Sequence, residues 1–307
     1  NHVVLGTSFK AEVFEAYFGD GSDWGLEIEY VVEEEALGTG GAIRNVADKL
    51  RYDNAVVFNG DVLSGADLSE ILATHTDKDA DVTLHLVRVP DPRAFGCVPT
   101  DDDGNVLEFL EKTPDPPTDQ INAGCYVFKR SVINEIPAGR VVSVERETFP
   151  GLLSDGAKIV GYVDTSYWRD MGRPDDFVQG SSDVVRGIAY SPLLEGRTGE
   201  AFVDESAGIA GGVILMGGTA VGRGCDIGAG CRVDDSVIFD GVTIEPGAMV
   251  RGSIIAAGAR IGANARIIDC VVGEGAQIGA RCELQAGMRV WPGVVIPDSG
   301  IRFSPDA

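Results

Sequence analysis

Residues 221–250 read VGRGCDIGAGCRVDDSVIFDGVTIEPGAMV, and aliphatic side chains recur through them at a fixed interval. Val221, Ile227 and Val233 lie six residues apart, and five residues on the pattern restarts at Ile238, Ile244 and Val250. It restarts again at Ile255, Ile261 and Ile267, then at Val272, Ile278 and Leu284, and runs on to Val290 and Ile296. Spacings of five, six and six residues make a coil of 17, repeated about four times. Glycine often follows the aliphatic residue, as in Ile227-Gly228, Ile261-Gly262 and Ile278-Gly279. One inward aliphatic per short face, with glycine or small residues at the corners, is the pattern of a parallel β-helix. Stacking is essential to it, because no single coil can bury its own aliphatic face.

Glycine also marks where this architecture begins. Of the 41 glycines, 20 fall between residues 201 and 300. At 307 residues the chain is long for one core and comfortable for two domains. The expected division is a first domain over 1–187, a linker over 188–206 and the repeat domain over 207–307. The closing residues, 294–307, are candidates to cap one end of the β-helix. Cys225, Cys231, Cys270 and Cys282 follow the coil register and lack the close pairing of a zinc site, so they read as small packing residues.

Composition excludes several function classes. With 25 basic and 48 acidic residues the net charge is −23, which disfavours broad nucleic-acid binding. Hydrophobic content of 44% and mean hydropathy of +0.06 fit a globular chain. The longest apolar run, 208–218, is broken by glycines, so no membrane span is expected. Six scattered cysteines without a CxxC pair, and no signal peptide, point to reduced thiols in a cytoplasmic protein.

Working back toward the first residue, short apolar runs alternate with amphipathic stretches. Strands are expected at 3–5, 28–32, 55–59, 82–89, 122–128 and 158–163, and helices at 10–17, 40–49, 67–76, 131–136, 148–153 and 175–186. Strands joined through helices imply parallel pairing in a three-layer α/β sheet, with ligands outside the carboxyl ends of the strands. At such ends lie Asn59-Gly60-Asp61 and Trp168-Arg169-Asp170-Met171-Gly172. Two carboxylates on separate strand ends can share a hard cation such as Mg²⁺. Leu37-Gly38-Thr39-Gly40-Gly41-Ala42 is a glycine-rich run opening a helix, an arrangement that exposes backbone N–H groups to a nucleotide.

These motifs occur in a telling order. The glycine-rich run comes first, then Asn59-Gly60-Asp61, Glu111-Lys112, Asn122-Ala123-Gly124 and Trp168-Arg169-Asp170-Met171-Gly172. Together they resemble the sugar-1-phosphate nucleotidylyltransferases, also called nucleotide-sugar pyrophosphorylases. The appended β-helix and Ser143-Val144-Glu145-Arg146-Glu147-Thr148-Phe149-Pro150 resemble the mannose-1-phosphate guanylyltransferase branch in particular. The resemblance implies a Rossmann-like nucleotidyltransferase domain followed by a left-handed parallel β-helix, acting on a nucleoside triphosphate and a sugar 1-phosphate with Mg²⁺. It implies nucleotide contacts at Leu37, Gly38, Thr39, Gly41, Asn59 and Gly60. Gly96, Glu111, Asn122, Gly124 and Glu145 would line the sugar pocket. Lys112 would neutralise the sugar phosphate, and Asp61 and Asp170 would be the catalytic metal ligands.

Other resemblances and absences bound this reading. Six-residue repeats also resemble hexapeptide acyltransferases, which use a histidine base, but His2, His75 and His85 all lie outside the repeat. Glucose 1-phosphate with UTP or dTTP is the alternative substrate pair, and a non-catalytic nucleotide-sugar-binding regulator the alternative class. The family's amino-terminal Gly-x-Gly-x-Arg loop and Pro-Lys-Pro element find no match in residues 1–30. The expectation is that a preceding segment carrying them is absent, and that the chain without it is inactive or weakly active. Open β-helix ends favour a homo-oligomer.

Overall fold

The computed structural model describes residues 2–302. Asn1 and the closing residues 303–307, the latter part of the expected cap, lie outside the described residues. Through residue 187 the elements run β1 (His2–Thr7), α1 (Ala11–Phe18), β2 (Glu27–Val32), α2 (Gly38–Asn45), β3 (Asn54–Phe58) and β4 (Val62–Ser64). There follow α3 (Leu68–Asp77), β5 (Val82–Arg88), β6 (Gly96–Cys97), β7 (Leu110–Glu111), β8 (Gln120–Lys129) and α4 (Arg130–Glu135). The series closes with α5 (Phe149–Ser154), β9 (Ile159–Asp164), β10 (Trp168–Asp170) and α6 (Pro174–Val185).

The chain divides into two compact units. The first holds residues up to Gly60 together with Ala66–Ser166; the second holds Asp61–Gly65 and the chain from Tyr167 onward. This differs from a boundary at 187, for local reasons. β4 pairs antiparallel with β10, Ser182 Oγ in α6 donates to Gly217 O at 2.7 Å, and Phe177 stacks on Phe239 with centroids 6.4 Å apart. Residues 61–65 and 167–187 therefore gather with the repeat.

In the first unit, β5 lies between β8 and β9 in the main sheet. It pairs in parallel with β9 and antiparallel with β8, and β3 also pairs antiparallel with β8. The all-parallel expectation is thus corrected to a mixed sheet. The reason is the excursion between β5 and β8, which holds two short strands and a single 3₁₀ turn but no crossover helix. Without that crossover the chain re-enters at the end where β5 finished, with Gln120 opposite Arg88, and runs back. A separate pair, β1 and β2, is parallel.

Strand alternation supplies two buried faces. Val82, Leu84, Leu86, Tyr126 and Phe128 face α2, α4 and α5, where Phe149 meets Phe109, Tyr126 and Phe128 at centroid distances of 5.1, 5.4 and 6.0 Å. Cys125 and Val127 face α3 through Ile71. Helices on both faces make the expected three layers.

That α3 face buries two histidines. His75 pairs through Nδ1 with Thr83 Oγ1 at 2.9 Å, and His85 pairs through Nε2 with Asp164 Oδ2 at 3.1 Å. The remaining ring nitrogen of each has no hydrogen-bond partner. Burial holds both imidazoles below their ordinary range; Lys129 reinforces this at His75, while Asp164 opposes it at His85. As pH falls through the ordinary imidazole range, the unfolded chain therefore takes up protons first. Stability present above that range is lost on the way down to the depressed folded values. Thermal melts between pH 7.5 and 5.5 should show this decline, and the combined His75→Gln and His85→Gln variant should show a flatter one. An unchanged slope would remove the histidines as its cause.

The second unit is built on the repeat. Three parallel sheets of six, six and five strands stack along it among the described residues. The register places Ile227, Ile244, Ile261, Ile278 and Ile296 in one column. The first coil strand is Ala201–Val203, paired with Thr219–Val221, so the repeat starts within the stretch expected as linker. Val221, Ile238, Ile255 and Val272 form a second column and Val233, Val250, Ile267 and Leu284 a third. All are buried with the first in one core, as are all four repeat cysteines.

Candidate active site

The glycine-rich run enters α2 at Gly38, where φ is +70° and a Cβ would lie 2.7 Å from Val142 O. Only glycine takes that conformation in that space without strain. The amides of Gly40 and Gly41 both donate to Val142 O, at 2.9 and 3.3 Å, and Val142 N donates back to Leu37 O at 2.9 Å. These bonds pin the run to the 141–144 segment and engage two of the amides expected to face a ligand. The Gly38 and Thr39 amides stand at the start of the helix, where no preceding turn supplies acceptors.

The Thr39 side chain is also engaged. Its hydroxyl donates to Glu145 Oε2 at 2.7 Å and accepts from Val144 N at 2.9 Å, while Ser143 Oγ donates to the same Glu145 oxygen at 2.8 Å. Thr39 and Glu145, expected on nucleotide and sugar respectively, are thus hydrogen-bonded to each other. The Glu145 charge is also felt at Glu111. Burial pushes the Glu111 carboxyl above its ordinary range and the Glu145 charge adds to it, with Lys112 and Arg146 pulling the other way.

Glu111 owes its place to Gly96, its partner across β6 and β7. A Cβ on Gly96 would lie 2.9 Å from Glu111 Oε2 and equally close to the Phe109 ring, so the carboxylate occupies space a side chain would fill. Lys112 follows with φ +52°, its amide donating to Phe95 O at 3.0 Å. Its side chain is 61% exposed and its Nζ stands 3.9 Å from Glu111 Oε1, so its charge remains open to an anion.

Asn59, at the end of β3, donates its amide to Gly124 O at 2.8 Å. The Gly124 amide donates to Asn122 Oδ1 at 3.1 Å, and Asn122 Nδ2 donates to Tyr126 OH at 2.8 Å. Tyr126, which the motifs do not single out, is buried, and that burial pushes its phenol well above its usual range. It holds the Asn122 amide from beneath. Its only sequence signal is its inward position on β8.

In the second unit, Asp61 and Asp170 come together. Asp170 pairs with Val62 across the β4–β10 ladder, and Met171 N donates to Asp61 O at 2.8 Å. Gly172 N donates to Asp170 Oδ1 at 2.8 Å. A Cβ added to Gly172 would lie 3.1 Å from Asp170 Oδ1 and 3.6 Å from Asp61 Oδ2. Two carboxylate oxygens therefore converge over one glycine, in a cradle that a side chain would obstruct. Such a donor set, two carboxylates with room left for other oxygens, fits a hard divalent cation. Gly60 precedes Asp61 with nothing near the place of its absent side chain.

Comparison with known proteins bears on the family. The family model described as "Nucleotidyl transferase" matches residues 1–187, and that described as "GMPPB C-terminal domain" matches 197–299. A mannose-1-phosphate guanylyltransferase of Mycobacterium tuberculosis is 66% identical over 306 residues, spanning 99% of this chain and 85% of the relative. A mannose-1-phosphate guanyltransferase of Pichia angusta is 33% identical over 230 residues, 73% of this chain and 61% of that protein. Among solved structures, HddC from Yersinia pseudotuberculosis superposes with a TM-score of 0.51 at 26% identity, covering 58% of this chain and 76% of that one. With its motifs in family order and a matching model over its first 187 residues, the chain belongs to the nucleotidyl transferase family.

Proposed function

We propose that the protein carrying this chain is a mannose-1-phosphate guanylyltransferase, converting GTP and mannose 1-phosphate to GDP-mannose and pyrophosphate. The observation that carries this reading is the 66% identity to the mycobacterial enzyme across nearly the whole chain, repeat domain included. A phosphate oxygen of the sugar phosphate attacks the α-phosphorus in line, forming the new P–O bond as the bond to pyrophosphate breaks. No protein nucleophile is needed, so positioning and charge neutralisation supply the catalysis.

Glu111 and Glu145 accept from sugar hydroxyls, with Gly96, Asn122 and Gly124 shaping the pocket around them. Lys112 offsets the charge of the sugar phosphate. Leu37, Gly38, Thr39 and Gly41 border the nucleotide, with Asn59 and Gly60 beside them. Asp61 and Asp170 hold Mg²⁺, which when bound neutralises charge developing on the reacting phosphates. The protein acts in the cytoplasm as a homo-oligomer, and no helix among the described residues is long and apolar enough to cross a membrane.

Pyrophosphate release across a grid of nucleoside triphosphates and sugar 1-phosphates tests the assignment. GTP with mannose 1-phosphate should give the highest kcat/KM; a higher value for UTP or dTTP with glucose 1-phosphate would replace it. A finer prediction follows from the Thr39–Glu145 bond. Thr39→Val keeps the side-chain shape but removes a donor to a carboxylate, an interaction worth about 1.5–3 kcal/mol. The KM for mannose 1-phosphate should rise about tenfold or more, and more than the KM for GTP. A selective rise in the GTP KM would instead put the Thr39 hydroxyl on the nucleotide.

A further inference from the structure

We propose that Arg169 is a positioning residue for the metal site, fixing Asp170 by tying its strand to α6. The proposal rests on the reading that Asp61 and Asp170 hold a divalent cation, and it concerns side chains with no direct part in that chemistry.

Arg169 precedes Asp170 in β10, so the two side chains leave the strand on opposite faces. On the Arg169 face lies α6, and it lies close. A Cβ added to Gly180 would stand 2.8 Å from Met171 Sδ and 3.4 Å from Arg169 Cδ. Residues 169 and 171, which flank Asp170, are therefore both packed against one helix.

The guanidinium completes the attachment. Nη1 donates to Asp176 Oδ1 at 3.1 Å, Nε donates to Tyr167 OH at 3.1 Å, and Nε lies 3.5 Å from Asp183 Oδ2. Tyr167 OH donates to Asp183 Oδ2 at 2.6 Å, and Gln179 Nε2 donates to Asp183 Oδ1 at 2.9 Å. Asp183 is only 5% exposed, so these partners take the place of water around its carboxyl group. One planar fork thus joins the strand to two turns of α6, a geometry that a lysine ammonium cannot reproduce.

Energetics argue that the network serves geometry. The Arg169–Asp176 pair is partly exposed and its screened attraction returns little net stability, while removing Asp183 from water costs most of what its attraction to Arg169 returns. Charge balance points the same way. A lone cation one residue from a metal ligand would repel the metal ion, but Asp176 and Asp183 compensate Arg169 in place. What remains is a strand end held at several points, from which Asp170 and the Gly172 amide it accepts follow directly.

The test is Mn²⁺ binding to the protein without substrates, read by the electron paramagnetic resonance of the free ion. Asp170→Asn should abolish the site. Arg169→Lys and Tyr167→Phe should each weaken Mn²⁺ by about tenfold, the scale expected when the supports of a ligand are removed, with near-native thermal melting for Tyr167→Phe. If both variants bind Mn²⁺ as the unmodified protein does while Asp170→Asn does not, the positioning role is overturned and the metal assignment stands. If Asp170→Asn itself binds normally, the metal assignment fails and takes this proposal with it. Should Arg169→Lys fold poorly, Tyr167→Phe decides alone, since it removes one oxygen from the same junction.

Discussion

Changing Asp170 to asparagine is expected to lower kcat by about a hundredfold to a thousandfold, the range seen when a preorganised charge-stabilising group is removed from a reaction centre. The same holds for Asp61→Asn. The two carboxylate oxygens stand 3.1 and 3.6 Å from a single point above Gly172, so each variant halves the anionic donor set while changing little in shape. The neutral amide still accepts a hydrogen bond through oxygen, and the Gly172 amide that bonds Asp170 Oδ1 can keep its partner. Thermal stability should accordingly remain close to that of the unmodified protein. A folded variant with near-normal Mg²⁺-dependent turnover would sink the assignment of these two residues.

The largest effect on stability is expected in the β-helix. Ile261 is fully buried and stands in register between Ile244 and Ile278. Ile261→Ala removes three carbons from a column whose neighbours are held by the parallel ladders on either side, so the cavity can close only partly. The expected cost is about 2–5 kcal/mol. Because each coil rests on its neighbours, the loss should spread through the stack. Denaturant unfolding followed by circular dichroism measures it. A cost well under 1 kcal/mol would mean that the coils repack freely, contrary to the interlocked column described here.

From Val221 onward the repeat was legible in the sequence because its signal is redundant, although its first coil strand at Ala201–Val203 fell in the expected linker. Each of the aliphatic positions from Val221 to Leu284 points inward, and an error at one would have been corrected by the next. The first domain carries a single copy of each signal. Its helices and long strands emerged from periodicity, yet the direction of β8 did not, since alternation is the same in a parallel and an antiparallel strand. The short strands β4, β6, β7 and β10 escaped because two or three residues carry no period. They are the elements that place Asp61, Gly96, Glu111 and Asp170.

The candidate site divides in the same way. Motif order and the Ser143–Pro150 element singled out Asp61, Asp170, Glu111 and Glu145 as candidates. What supports them was hidden, because hydrogen bonds such as Thr39 to Glu145 join residues more than a hundred positions apart. Tyr126, Tyr167 and Asp183 look like ordinary core or helix residues until their partners are known.

The central claim is direct transfer of a guanylyl group to mannose 1-phosphate. It is tested most directly by following GTP radiolabelled at the α-phosphorus, with mannose 1-phosphate and Mg²⁺, through a single turnover of the protein carrying this chain. Label should pass from GTP to GDP-mannose at the rate pyrophosphate appears, with none on the protein. Label accumulating on a side chain, or no GDP-mannose from a preparation that still binds it, would contradict it.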